Sequence, residues 1–168
     1  MNATFLIATR NAHKVGEIRA ILGNQYHYLT LEDFPNAPKV IEDAGTFAGN
    51  ATKKAVELAR WITGTRSAER GTRTMFVLAD DSGLEVDALN GAPGVYSARF
   101  AAMDSGEGEN SKDSDNNAKL LRLLKNISAE KRTARFRCVI ALTPVECGTR
   151  IAERGTVASP VCYADEFE

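Results

Sequence analysis

Two adjacent carboxylates next to an apolar run restrict the folds open to this chain. Asp80 and Asp81 directly follow Met75–Ala79, which has the length and composition of a buried strand. An ionised carboxylate is costly to bury unless a partner or a ligand uses it. We expect the strand to break abruptly at residues 80–83 and a short second strand to occupy residues 84–88.

The segment Asp80–Gly83 has two interpretations. If the strand conformation continued, the two carboxylates would point to different sides. One could then bind a metal or activate water while the other supports the site. A site with few carboxylates suits Mg²⁺, which also takes phosphate oxygens and waters. Alternatively, Asp-Asp-Ser-Gly is favourable turn chemistry without any function.

The first half of the chain alternates strands and helices. Residues 4–8 predict a buried strand, and Val15, Ile18, Ile21 and Leu22 recur at helical spacing before Gly23, a typical helix stop. Residues 27–31 predict a further strand. Thr46 is the expected N-cap of a second helix that runs to about residue 62. Its apolar stripe consists of Phe47, Ala51, Ala55, Leu58 and Ala59.

The second half predicts one helix and a late hairpin. The helix begins at Asp113 or Ser114, and its apolar side chains are expected to face a core: Ala118, Leu120, Leu121, Leu123 and Leu124. Residues 133–143 and 149–158 predict two strands joined by a turn near Cys147. Early alternation followed by a hairpin favours a mixed α/β fold in a single domain, residues 1–168.

The segment Thr9–Lys14 lies where the first strand ends and the first helix begins. Helix N-termini offer N–H groups and a positive dipole end, which suit a phosphate. Thr9 and Asn11 would add side-chain donors, and Lys14 a full charge. Neither Gly-rich phosphate motif is present here. The alternative is that Asn11 only caps the helix and that Lys14 is solvated.

Composition excludes several function classes. The formal charge of −1 gives no general attraction to nucleic acid or to an anionic membrane. The three cysteines have no CxxC spacing, and there are only two histidines, which argues against a disulfide framework and a zinc site. We expect a cytoplasmic protein that binds neither nucleic acid nor membrane.

Together, the motifs resemble the inosine/xanthosine triphosphate pyrophosphatase family. The pattern [ST]-x-N-x-x-K is present at Thr9–Lys14, and T-F-x-x-N-A-x-x-K-A at Thr46–Ala55. The pattern A-D-D-S-G-L-x-V-D-x-L-x-G-x-P-G-x-Y-S-A-R-F runs unbroken over Ala79–Phe100. The likeness extends from residue 4 to about residue 157. It implies an elongated mixed β-sheet with flanking helices, two lobes around a central cleft, and a homodimer.

The resemblance also implies site roles. Asp81 would be the general base and a metal ligand, and Glu42 would be the other carboxylate on Mg²⁺. Asp80 and Arg99 would support them, although a single arginine such as Arg99 is more often a surface or ion-pairing residue. The expected substrate contacts are Thr9, Arg10, Asn11, Ala12, His13, Lys14, Lys54 and Ser82.

The implied reaction converts ITP, dITP or XTP to the monophosphate and pyrophosphate. The family's F-G-Y-D-P and S-H-R segments, which read the base, have no counterpart in residues 159–168. We therefore expect the phosphate half of the site to be kept and the purine base to be discriminated poorly. The alternatives are a related pyrophosphatase with another base preference, and a catalytically weak nucleotide-binding form.

Overall fold

The computed structural model describes residues 3–65, 74–104, 110–145 and 163–167. Its centre is a five-stranded sheet in the order β2-β1-β3-β4-β5. The elements are β1 (Thr4–Ile7), α1 (Ala12–Leu22), β2 (His27–Thr30), α2 (Phe47–Thr65), β3 (Met75–Val86), α3 (Asp113–Leu123), β4 (Ala134–Pro144) and β5 (Tyr163–Phe167). β1 pairs in parallel with β2 and β3, whereas β4 pairs antiparallel with β3 and β5. The predicted mixed α/β fold is confirmed.

Helices cover both faces of the sheet. Because successive strand residues point to opposite sides, Val77 packs towards α2 and Leu78 towards α1. All five predicted stripe residues of α2 are buried in the larger of these two cores. On the other face, Ile18 of α1 packs against Ile7 and Leu78. Each face of β3 therefore has its own helix.

The predicted helix ends follow from local hydrogen bonds. The Thr46 side chain accepts a hydrogen bond from the Gly49 N–H at 3.0 Å, which caps α2 as expected. The Asn11 side chain accepts one from the His13 N–H at 2.9 Å and caps α1. Gly23 ends α1 with φ of 79°, a left-handed value that favours glycine.

The expected break at residues 80–83 is wrong, and so is the turn interpretation. β3 is one continuous strand from Met75 to Val86. β4 pairs with it through this region, with Asp80 opposite Ile140 and Asp81 opposite Val139. The strand continues because β4 holds its backbone, and each carboxylate meets a polar partner on its own face.

Three large apolar residues of the predicted helices are exposed, and the two in α3 were expected to face a core. Ile21 of α1 is 80% exposed, and Leu121 and Leu123 of α3 are 64% and 44% exposed. The reason in α3 is that polar bonds hold it against residues 98–101. The side chain of Asn116 accepts from the Ala101 N–H at 2.8 Å, and the Lys119 ammonium donates to the Phe100 carbonyl at 2.7 Å.

The predicted strand at residues 149–158 lies outside the described residues. The strand that pairs with the outer edge of β4 is β5. None of the helices in the described ranges has the length and apolar character that crossing a membrane requires.

A short 3-10 helix, Gly94–Arg99, rests directly on β3 at Gly83. The Ser97 hydroxyl accepts from the Leu84 N–H at 2.9 Å and donates to the Gly94 carbonyl at 2.6 Å. A Cβ on Gly83 would lie 2.4 Å from the Gly94 oxygen and 2.5 Å from the Ser97 hydroxyl. Glycine at position 83 thus permits this close approach.

We predict that Gly83→Ala lowers the free energy of unfolding by about 3 kcal/mol, because the added methyl group meets backbone and forces the 3-10 helix off the strand. Gly16→Ala is the matched control, since nothing lies within 4 Å of its added Cβ. Removing an exposed helical glycine should stabilise the protein by about 0.5–1 kcal/mol. Urea unfolding measures both variants. Equal effects of the two substitutions would contradict the packing argument.

Candidate active site

The charged residues predicted for the site meet where β1 stops and β3 continues. β1 ends at Ile7, and the Ala8 N–H donates to the Leu78 carbonyl at 2.7 Å. β3 runs on to Val86, and the chain that leaves β1 enters α1 beside this second half of β3. Parallel pairing of β1 with β3 thus brings the segments Thr9–Lys14 and Asp80–Ser82 together.

Lys14 binds the side chains on the α1 face of β3. Its ammonium forms a hydrogen-bonded ion pair with the Asp80 carboxylate and donates to the Ser82 hydroxyl at 2.7 Å. Asp80 is only 6% exposed. The alternative of a solvated Lys14 is therefore wrong. The lysine neutralises a buried carboxylate that would otherwise be costly.

Asp81 lies on the opposite face, towards α2. Its Oδ2 accepts from the Asn50 Nδ2 at 2.9 Å, and its Oδ1 accepts from the Ser82 N–H at 3.0 Å. Burial raises the pKa of Asp81 above the ordinary aspartate value. The Asn50 hydrogen bond and the charge of Lys54 lower this pKa, whereas the charge of Glu42 raises it. Each carboxylate oxygen of the buried Asp81 thus accepts one hydrogen bond.

Lys54 contacts both the Glu42 carboxylate and the backbone of β3. Its ammonium lies 2.5 Å from the Glu42 Oε1 and donates to the backbone carbonyl of Asp80 at 2.8 Å. The Lys54 side chain is 16% exposed and the Glu42 side chain 33% exposed. The predicted residues Glu42, Lys54 and Asp81 are thus brought to one side of the site.

Arg99 holds the backbone at Glu42. Its Nη2 donates to the Glu42 carbonyl at 2.9 Å, and its guanidinium lies over the Tyr96 ring at 5.3 Å from the centroid. Arg99 is therefore not a solvated surface residue. It connects the 3-10 helix on β3 with the chain segment that leads into α2.

The remaining predicted contacts surround the start of α1. The Thr9 hydroxyl accepts from the Asn11 N–H at 3.2 Å, and Asn11 uses its side-chain oxygen as the helix cap. Arg10, Ala12 and His13 are exposed. An incoming anion would meet the N–H groups and the positive end of α1 at this place. That these residues bind phosphate stays a prediction.

Asn50 is part of the pattern at Thr46–Ala55, but sequence reasoning assigned it no role. It is 1% exposed and lies on the apolar face of α2, three residues after Phe47 and one before Ala51. A buried polar side chain normally requires a hydrogen-bond partner, so a lone asparagine in an apolar stripe is a usable signal. Its partner is Asp81.

The donor set is compatible with a hard divalent cation. Glu42 lies close enough to Asp81 for its charge to raise the pKa of Asp81. A cation between the two carboxylates would relieve this repulsion. Among the residues that the structure describes, no cluster of three or more His, Cys, Asp or Glu is placed to hold a metal. A cation here would therefore need further oxygen ligands, such as phosphates or waters.

Comparison with known proteins identifies close relatives. The profile of the Ham1 family matches residues 5–164. The chain is 52% identical over 138 residues to the dITP/XTP pyrophosphatase of Geobacter sulfurreducens, covering 82% of this chain and 61% of that protein. It is 44% identical over 159 residues to the dITP/XTP pyrophosphatase of Exiguobacterium sibiricum, covering 94% and 71%. This chain thus spans about three fifths of the length of the Geobacter relative.

Solved structures agree with these sequence matches. The Ham1 protein of Staphylococcus aureus is 32% identical with a TM-score of 0.66, covering 97% of this chain and 69% of that one. A HAM1 protein from Coxiella burnetii is 30% identical with a TM-score of 0.68, covering 98% and 71%.

We predict that Asp81→Asn stabilises the folded protein at neutral pH without divalent cations. The folded pKa of Asp81 is raised, so this carboxyl contributes stability below its unfolded pKa, and that stability is lost as the pH rises through the folded pKa. The amide at position 81 keeps one acceptor oxygen for the Asn50 Nδ2 and loses only the acceptor for the partly buried Ser82 N–H. Urea midpoints in chelator, from about pH 4 to about pH 8, should therefore favour the variant increasingly as the pH rises.

Asp104→Asn is the control, for which we expect the opposite effect on stability at neutral pH. A hydrogen bond from Lys119 holds the pKa of Asp104 below its ordinary value. Its stabilisation is present above the unfolded pKa and is lost as the pH falls through the folded pKa. This variant should be less stable than the wild type at neutral pH and equal to it in strong acid. An Asp81→Asn midpoint below that of the wild type at neutral pH would contradict the raised pKa of Asp81.

Proposed function

Because this chain belongs to the Ham1 family, we propose that it is a nucleoside-triphosphate pyrophosphatase that hydrolyses dITP, ITP and XTP to the monophosphate and pyrophosphate. The resemblance that the motifs predicted is confirmed by the family match and by relatives named dITP/XTP pyrophosphatases. We further propose that the reaction depends on Mg²⁺ and takes place in the cytoplasm in a homodimer.

One observation carries the proposal: two lysines and three carboxylates lie around residues 80–82 of β3, with Lys14 and Asp80 on the α1 face and with Lys54, Glu42 and Asp81 on the α2 side. Lys14 binds Asp80, and Lys54 binds Glu42 while its ammonium also contacts the strand that carries Asp81. A triphosphate presents several negative oxygens, so positioned cations and helix N–H groups offset its charge. Phosphoryl transfer depends mainly on such positioning and electrostatics and needs no protein nucleophile.

In the proposed reaction, Asp81 accepts a proton from the attacking water. The water oxygen forms a bond to phosphorus, the α–β bridging bond breaks, and pyrophosphate leaves. Burial makes Asp81 more basic than an ordinary aspartate, while the Asn50 and Ser82 hydrogen bonds favour its charged form. The carboxylate is thus held in one orientation and is available as a base.

Glu42 and Asp81 are the residues that would hold Mg²⁺. They offer oxygen ligands from two carboxylates, the donor type that Mg²⁺ prefers. When bound, Mg²⁺ would offset phosphate charge and lower the pKa of a water molecule. Lys54 contacts Glu42, so it keeps this carboxylate near Asp81 and can donate to a phosphate oxygen. Lys14 and the start of α1 would hold the phosphates from the other side.

We predict that the chain with Mg²⁺ releases pyrophosphate from ITP and XTP, with only a small preference over ATP and GTP, in keeping with the poor base discrimination expected from the sequence. Asp81→Asn should lower kcat by at least about 100-fold, because it removes the general base. Quantifying pyrophosphate and monophosphate tests this, with Asp104→Asn as a charge-matched control outside the site. Faster release from ATP or GTP than from ITP and XTP would favour the alternative base preference, and a strong preference for ITP over ATP would contradict the expected poor discrimination. No turnover by folded protein would favour a catalytically weak nucleotide-binding form.

Two neighbouring lysines allow a specific role in the site to be distinguished from a general effect of positive charge. Lys54 contacts Glu42 and the Asp80 carbonyl, whereas Lys53 pairs with the exposed Asp43. We predict that Lys54→Met lowers kcat/KM for ITP by about 10- to 100-fold, the loss of one charge-assisted hydrogen bond. Lys53→Met should leave kcat/KM within about twofold of the wild type, since exposed pairs contribute little. Similar losses in both variants would argue against the assigned role of Lys54.

A further inference from the structure

Asn50 has two hydrogen bonds that join separate parts of the site. Its Nδ2 donates to the Asp81 Oδ2 and its Oδ1 accepts from the Ala44 N–H, each at 2.9 Å. Asn50 is 1% exposed among apolar side chains, where an unbonded amide would be costly. Both ends of the amide are therefore used, one on strand β3 and one on the segment that precedes α2.

The Ala44 contact matters because Ala44 lies two residues after Glu42. α2 packs its apolar stripe into the core, so the side chain at position 50 starts from a fixed backbone. A shift of the Glu42 segment relative to Asp81 would break one of the two Asn50 bonds. One buried side chain thus couples the positions of both carboxylates.

Each carboxylate also has a second restraint. The Ser82 N–H binds the Asp81 Oδ1, so that both oxygens of Asp81 are engaged and its rotation is restricted. Arg99 binds the Glu42 carbonyl from the side of the 3-10 helix. Of these three contacts, only that of Asn50 involves both Asp81 and the segment that carries Glu42.

We propose that Asn50 is a positioning residue that sets the separation and orientation of Glu42 and Asp81 for one shared divalent cation. The inference rests on the proposed function, because the cation is the one that hydrolysis would use. Mg²⁺ requires near-ideal octahedral geometry, so a small displacement of either carboxylate weakens its binding. Partners that orient metal-ligating groups typically contribute about 10- to 100-fold in metal affinity or activity.

The test replaces Asn50 with leucine. Leucine has the same branched shape and the same number of side-chain heavy atoms, suits the apolar face of α2, and removes both hydrogen bonds without adding charge. Tyr28→Phe is the matched control, since it keeps the side-chain shape and removes one partly buried hydrogen bond, from the Tyr28 hydroxyl to the Gly23 carbonyl at 2.7 Å, at the far end of α1 from the site. Asn50→Ser is the second variant, used if the leucine variant does not fold.

Three measurements decide the outcome. Mn²⁺ binding without nucleotide is followed by electron paramagnetic resonance, the Mg²⁺ concentration for half-maximal ITP hydrolysis by a kinetic titration, and stability by urea unfolding. Asn50→Leu should weaken Mn²⁺ binding and raise the half-maximal Mg²⁺ concentration, each by about 10- to 100-fold. Tyr28→Phe should lower the urea midpoint through the loss of its hydrogen bond and leave both metal readouts unchanged.

The inference is overturned if folded Asn50→Leu, or Asn50→Ser in its place, binds Mn²⁺ as the wild type does. It is also overturned if Asn50→Leu and Tyr28→Phe shift the metal readouts equally, or if the wild type binds no Mn²⁺. A wild type that binds Mn²⁺ but hydrolyses no triphosphate would refute the proposed function alone, because the Mn²⁺ titration would still decide the role of Asn50.

Discussion

The burial of two adjacent carboxylates in the middle of a strand is the constraint on which this structure depends. Asp80 and Asp81 are 6% and 8% exposed, and strand geometry sends them to opposite faces of the sheet. Each face must then supply its own polar partner. Lys14 of α1 serves one carboxylate, and Asn50 of α2 serves the other. The two helices that pack against the faces of the sheet therefore also contact the two buried carboxylates.

Hydrogen bonds to the backbone also hold the site from the side of α3. α3 holds residues 98–101 through Asn116 and Lys119, and the 3-10 helix that precedes them rests on β3 at Gly83. From this helix, Arg99 reaches the carbonyl of Glu42. The site is therefore held by packed elements on several sides, which suits chemistry that depends on positioning. As a consequence, Asp81 is buried, and burial raises its pKa and disfavours its charged form.

Much of the fold was predictable because its signals are local. Apolar spacing and caps located α1 and α2, and the short apolar runs located β1 and β2. The errors arose where a distant partner overrode local preference. Asp80–Gly83 has turn chemistry but stays extended because β4 pairs with it, and Leu121 is exposed although its spacing indicated a core. The role of Asn50 was not predicted because its partner lies on another element, 31 positions along the chain.

The sequence alone identified the family from the motifs at Thr9–Lys14, Thr46–Ala55 and Ala79–Phe100, and periodicity indicated the buried face of α2. Only the tertiary structure decided which charges meet. It assigned Lys14 to Asp80, Lys54 to Glu42, and Asn50 to Asp81. The reason is that residue type and spacing along one element specify its faces, whereas contacts between elements follow from strand pairing and helix packing over long sequence separations.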